Sequence, residues 1–190
     1  MKVKYFDLKN KRVFISGGGS GIGATIVEHF CEQHSEVYFI DINIKASKQL
    51  IKKIKKNRFR VPKFIECNVL DIKKLQNIIK DIISKKGPIH CLINSAANDD
   101  RHATEQVDEK YWENRMGINL KHYFFAAQSV VKGMKKIKSG SIVNLSSVSW
   151  VLGEGDKVVY ETAKSAVIGL TRSFAQEFGK YNIRTNSVIP

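Results

Sequence analysis

Apolar residues recur along this chain in two alternating rhythms. Short, nearly continuous apolar runs lie at 11–16, 36–41, 62–67, 89–93, 141–145 and 183–189. Runs of that length read as strands buried on both faces. Between them stand longer stretches, at 21–34, 45–57, after Asp71, at 106–136 and at 158–180, whose apolar positions fall three and four apart. That spacing gathers apolar side chains on one helical face. The predicted face of the first helix is Ile22, Ile26 and Phe30. The third, with Asp71 as N-cap, carries Ile72, Leu75, Ile78, Ile79, Ile82 and Ile83. The long fourth carries Trp112, Met116, Leu120 and Phe124 at fourfold spacing. Strands alternating with helices predict an α/β fold, with a parallel sheet and right-handed crossovers. No repeat, low-complexity tract or linker interrupts the pattern, so 1–190 is expected to be one domain.

The first strand passes into the first helix through Ser16-Gly17-Gly18-Gly19-Ser20-Gly21-Ile22-Gly23. Glycines at such a junction let the backbone turn tightly and approach a ligand, and the free N–H groups and positive end of the new helix face any phosphate there. Gly17 is placed to make the turn, Gly21 to admit a pyrophosphate and Gly23 to let helix and strand touch. A purely structural glycine turn is the alternative. The second strand ends in Asp41, about twenty residues on, where a carboxylate accepts hydrogen bonds from the adenosine ribose and repels a 2′-phosphate. The spacing therefore points to NAD rather than NADP, and no basic residue in the turn offers a phosphate a partner. Asp41 as a cap on the following helix is the competing reading.

Composition narrows the classes. A chain of 190 residues, 43% hydrophobic, is able to bury a core. No apolar run is long enough for a bilayer, and the first residues lack the apolar segment of a secretion signal, so a cytoplasmic protein is expected. Cys31, Cys67 and Cys91 each lie in an apolar stretch and read as buried thiols; the five histidines show no ligand spacing, so no metal site is expected. The formal charge of +14 raises nucleic acid as a partner. Its lysines, however, lie between apolar helix positions, as in Ile51-Lys52-Lys53-Ile54-Lys55-Lys56, without interleaved aromatic residues. Salt-sensitive association is all that this pattern supports, and a basic binding protein is the weakest of the functional readings.

Tyr160 and Lys164 stand four apart near the start of a helix and leave one face. Ser147 ends the fifth strand, and Asn119 lies inside the long helix. With the glycine turn, the Asn94 segment after strand four, and the run from Asn186 to Pro190, this set resembles the short-chain dehydrogenase/reductase family over essentially the whole chain. The resemblance implies a Rossmann-like doubly wound sheet of about six strands in the order 3-2-1-4-5-6. It makes Tyr160 the general base that takes the proton of a substrate hydroxyl as hydride leaves for nicotinamide. A free tyrosine titrates at about 10, so poising it near neutrality takes about 4 kcal/mol of phenolate stabilisation, expected from Lys164 and the oxidised nicotinamide. By the same resemblance Lys164 holds the nicotinamide ribose, Ser147 binds the substrate oxygen and Asn119 anchors a relay water. The implied cofactor contacts are Gly17, Ser20, Gly21, Ile22, Gly23, Asp41, Asn68, Val69, Asn94, Ala96, Tyr160 and Lys164.

Two stretches, Asn98-Asp99-Asp100-Arg101-His102 and Ser147-Val148-Ser149-Trp150-Val151-Leu152-Gly153, are similar to a branch that oxidises the anomeric hydroxyl of aldoses. That similarity makes Ser149 and Trp150 candidates to line a sugar pocket, with loop packing an equal reading of Trp150. A 3-oxoacyl or other carbonyl reductase is the runner-up. Asn68 stands where the family has Asp, Ser95 where it has Asn, and Ala97 where it has Gly. Family chains continue past the sixth strand into a lid and a seventh strand, and by the same resemblance this chain is expected to lack both. By that comparison the edge from Arg184 to Ile189 is expected to be open and apolar, and the chain to be a remnant that at most binds cofactor if the missing parts are essential. A homodimer through the long helices is expected.

Overall fold

The computed structural model describes residues 3–190. Six strands, β1 (Arg12–Ser16), β2 (Glu36–Asp41), β3 (Lys63–Glu66), β4 (Cys91–Asn94), β5 (Gly140–Leu145) and β6 (Ile183–Val188), form one sheet in the order β3-β2-β1-β4-β5-β6, every pairing parallel. The order reverses between β1 and β4, and the carboxyl ends of the strands open a crevice there. The fold expected from the sequence is the fold observed.

Alternate residues of each strand feed two cores. Val13, Ile15, Val37 and Phe39 meet α1 (Gly21–Glu32) and α2 (Ile44–Lys56) through Val27, Cys31, Leu50 and Ile54. Phe14, Tyr38, Leu92 and Ile142 meet α3 (Ile72–Lys86), α5 (His122–Ile137) and α7 (Val158–Phe178) on the other face. Side chains on both faces explain why the strands read as continuous apolar runs.

Two helical faces differ from the pattern reading. α1 turns Gly23, Val27 and Cys31 inward, while Ile22 is 55% exposed and Ile26 and Phe30 are only part-buried. Gly23 makes the closest backbone approach, so residues in register with it face the sheet. The single long helix expected over 106–136 is three pieces: α4 (Glu109–Met116), a π turn (Gly117–Lys121) and α5. The inner face of α5 is Tyr123, Ala126, Ala127, Val130 and Met134, leaving Trp112 and Phe124 about 40% exposed (37% and 41%). Fourfold spacing drifts by about 40° per step on a helix of 3.6 residues per turn, and the π turn rotates the face further.

Among the described residues, β6 pairs with β5 alone. The expected apolar edge is confined to Val188 and Ile189, because Arg184 and Asn186 turn polar side chains outward and Ile183 and Thr185 are buried. No helix among the described residues is long and apolar enough to cross a membrane.

Candidate active site

A cavity of about 710 Å³ runs along the carboxyl ends of the strands. Its first arm begins at the turn between β1 and α1. Gly17 adopts φ +71°, and a Cβ there would stand 2.5 Å from the Ala96 Cα; a Cβ on Gly23 would overlap the Gly17 carbonyl oxygen. The turn can close only on these glycines. Ser20, the N-cap of α1, makes no capping bond of its own, and the first N–H groups of a helix have no partner within it, so they point outward with the positive end of the dipole. At the end of β2, one oxygen of Asp41 accepts the Gly19 N–H at 2.8 Å and the other accepts the Asn43 N–H, also at 2.8 Å. Each oxygen retains a further lone pair, and Asp41 lines the cavity. Helix α2 is capped by Asn43, whose side chain accepts from Ala46 N, and not by Asp41. Asn68, Val69 and Ala96 complete this arm.

The second arm brings Ser147, Tyr160 and Lys164 together. Ser146 donates to the Lys164 carbonyl at 2.7 Å, tying α7 to the end of β5. Ser147 Oγ accepts from both the N–H and the hydroxyl of Ser149, at 3.2 and 3.0 Å, which leaves its own proton for the hydrogen bond it shares with Tyr160. Burial raises the Tyr160 hydroxyl above its ordinary range, and the Ser147 bond opposes that rise. Lys164 is 1% exposed, and burial brings its ammonium down to about 7. Within the chain, therefore, burial dominates at Tyr160, and lowering it takes positive charge in the cavity.

Asn119 sits in the π turn, fully buried. Its amide makes two 2.9 Å bonds with Asn98, accepting the N–H and donating to the carbonyl, and so pins the loop after β4. It does not line the cavity; it shapes the wall that Asn98 and Asp99 present. Asn94 likewise stands outside: fully buried, it donates to Asn144 Oδ1 at 2.9 Å, and Asn144 donates on to Thr171 at 3.0 Å, an amide chain joining β4, β5 and α7. Of the two residues expected in a sugar pocket, Ser149 lies behind Ser147 at 3% exposure, and neither it nor Trp150 lines the cavity. Both stand on the short α6 (Ser149–Leu152), and the buried indole N–H of Trp150 has no hydrogen-bond partner among the described residues.

Three site residues escaped the sequence reading. Asp99, quoted above only within a similar stretch, lines the second arm, and its charge acts on both Tyr160 and Lys164. His122 and Tyr123 are both fully buried behind the cavity wall. The signal was present: two polar rings within an apolar helical stretch, three and four residues after Asn119.

The family model described as short chain dehydrogenase matches residues 11–190. A probable galactose dehydrogenase of Rhizobium meliloti is 39% identical over 184 residues, 97% of this chain and 72% of its own length. A D-xylose 1-dehydrogenase of Caulobacter vibrioides is 40% identical over 186 residues, 98% of this chain and 73% of its own. Among solved structures, the ligand-free aldohexose dehydrogenase of Thermoplasma acidophilum superposes with a TM-score of 0.86 at 29% identity, covering 98% of this chain and 68% of that one.

Proposed function

The chain belongs to the short-chain dehydrogenase family, and from that premise we propose that it transfers hydride from the anomeric hydroxyl of an aldose to NAD. One observation carries the reading: a single cavity joins the Asp41 carboxylate at one end to Ser147, Tyr160 and Lys164 at the other. The family makes the chain an oxidoreductase with a nicotinamide cofactor. The first arm fits that group, because the turn offers backbone donors to a pyrophosphate and Asp41 offers acceptors to ribose hydroxyls. Asp41 favours NAD, since a 2′-phosphate would meet a carboxylate fixed by two backbone bonds with no lysine or arginine in the turn to relieve it.

In the second arm, Ser147 holds the substrate oxygen and Tyr160 takes its proton. Lys164, one helical turn beyond Tyr160, holds the nicotinamide ribose and places a positive charge 5.5 Å from the centre of the Tyr160 ring. Nicotinamide supplies the hydride acceptor and a second positive charge. Support for an aldose comes from Asp99, an exposed carboxylate at the mouth of this arm, which accepts hydrogen bonds from a neutral polyol and repels an anionic substrate. The long helices form the pairing surface of a homodimer through exposed Trp112 and Phe124, the latter packed 5.8 Å from Phe174.

The test is a paired fluorescence titration with NADH and NADPH, then an aldose panel on the wild type and Tyr160→Phe. We expect NADH to bind at least about tenfold more tightly, a difference of about 1.4 kcal/mol. Tyr160→Phe is expected to lower turnover by about 10²–10⁴-fold, the range for a general acid or base, with NADH affinity unchanged. Equal affinity for NADPH refutes the cofactor assignment, and turnover within tenfold of the wild type refutes Tyr160 as the base.

A further inference from the structure

Tyr123 has no part in the chemistry described so far, yet its hydroxyl lies against the lysine that does. Its ring is fully buried on α5, packed edge-on to His122 with centroids 4.5 Å apart. The Lys164 ammonium donates to the Tyr123 hydroxyl at 3.0 Å and to the Leu145 carbonyl at 2.7 Å. Tyr123 in turn donates to that same carbonyl at 3.1 Å, with the Ala96 carbonyl at 3.4 Å. Ammonium, phenol and carbonyl thus close a triangle on the wall behind the cavity. An ammonium has three donors and no acceptor, so two are used on this wall and one is left.

We propose that Tyr123 is a positioning residue for Lys164: its hydroxyl, anchored on the Leu145 carbonyl, fixes the ammonium so that a single N–H faces the cavity. The inference rests on reading Lys164 as the residue that serves Tyr160 and the nicotinamide ribose. Phenylalanine would fill the same volume in the core, so packing does not call for the hydroxyl. What the hydroxyl adds is an acceptor for a buried cation. The ammonium is held between two rings, 5.2 Å from the centre of Tyr123 and 5.5 Å from that of Tyr160. A loose ammonium would lose its fixed relation to the Tyr160 oxygen. Tyr123 does not itself carry protons, because burial raises its hydroxyl far above its ordinary range and its partners are carbonyls and an ammonium.

The groups that face Lys164 are Asp99 in the loop after β4, His122 and Tyr123 on α5, and Tyr160 on α7. The chain, labelled with ¹³C at tyrosine Cζ and lysine Cε, is titrated by NMR from about pH 5 to about pH 9, a range that spans the burial-lowered lysine. The Tyr123 resonance should inflect at the pH where Lys164 titrates, keep that inflection in Tyr160→Phe and Asp99→Asn, and lose it in Lys164→Met. In Tyr123→Phe the Lys164 midpoint should fall by about one pH unit, the equivalent of one hydrogen bond to a charged donor. A flat Tyr123 resonance, or a Lys164 midpoint unmoved in Tyr123→Phe, overturns the proposal. Should Tyr123→Phe fail to fold, the wild-type and Lys164→Met titrations decide alone. Neither readout needs turnover, so failure here is separable from failure of the oxidoreductase reading, which the cofactor titration and Tyr160→Phe decide.

Discussion

At one end of the cavity the shape is set by atoms that are absent, and at the other by polar atoms that are present. The turn from β1 into α1 closes because Gly17 and Gly23 carry no Cβ, where one would run into Ala96 and into the Gly17 carbonyl oxygen. The reacting end is held by side chains bonded to backbone and to one another: Asn119 to Asn98, Ser146 to the Lys164 carbonyl, Lys164 to Tyr123 and Leu145. A site made of backbone clearance should fail abruptly on adding one methyl group. A site made of buried hydrogen bonds should fail by degrees, with the pH as a visible variable.

The largest effect is expected at Gly23. Gly23→Ala places its Cβ over a backbone oxygen that has no rotamer to escape into. Overpacking costs about 1–3 kcal/mol of stability even among side chains, and against fixed backbone the upper end applies; relieving it pushes the Gly17 carbonyl and the turn out of the conformation that would take a pyrophosphate, so NADH affinity should fall by about a hundredfold. The thermal midpoint should fall with it, since the strain exists before any ligand binds. NADH affinity within threefold of the wild type would erase the contrast between the two ends.

His122 probes the other end with a gentler effect. Its Nε2 lies 3.1 Å from Ser16 Oγ, which also accepts the N–H groups of Ser95 and Ala96, so the Ser16 proton is free for the imidazole. Burial, with the Lys164 charge next, lowers His122 to about 3, so the folded chain keeps the ring neutral. An unfolded histidine titrates at about 6.5. Between those values the unfolded chain binds a proton that the folded chain refuses, so stability falls as the pH drops from about 6.5 to about 3. His122→Asn keeps a polar partner for Ser16 and removes the titration. Urea unfolding at a series of pH values should show a shallower acid-side slope in this variant, even if its stability at neutral pH is lower. An unchanged slope would mean that His122 takes up its proton in the folded state and that this wall is wetter than its burial implies.

The same contrast explains what could be read from the chain alone. The glycine turn, the place of Asp41 beside it and the shared cavity face of Tyr160 and Lys164 were legible because backbone clearance and helical spacing fix where these residues stand, and the strand runs gave the sheet. The inner face of α1 was not, since Gly23 sits at its centre although it is less apolar than exposed Ile22 and than Ile26 and Phe30, which pack only at the rim of the core. The π turn leaves no mark in a pattern of apolar positions, and nothing in that pattern sets Tyr123 apart from Phe124 and Phe125 beside it. Nor does a residue's place near Ser147 in sequence say which side of it the residue takes, and Ser149 takes the buried side.

The smallest effect is expected at Trp150, where it sharpens what the reacting end recognises. Its indole N–H is buried without a hydrogen-bond partner among the described residues, and such a group costs about 1–3 kcal/mol. Trp150→Phe removes that cost but also removes ring volume, which costs a similar amount where neighbours cannot close the gap. The two changes oppose each other, so stability should move by less than about 1 kcal/mol. NADH affinity should not move, because Trp150 is outside the cavity that Asp41 lines. Because that N–H is buried and Trp150 lies outside the cavity, the Michaelis constant for an aldose should stay unchanged as well; a several-fold rise at unchanged kcat would mean that the sugar reaches the indole. An unchanged Michaelis constant would assign Trp150 to packing and leave recognition of the sugar to Asp99 and the loop that Asn119 pins.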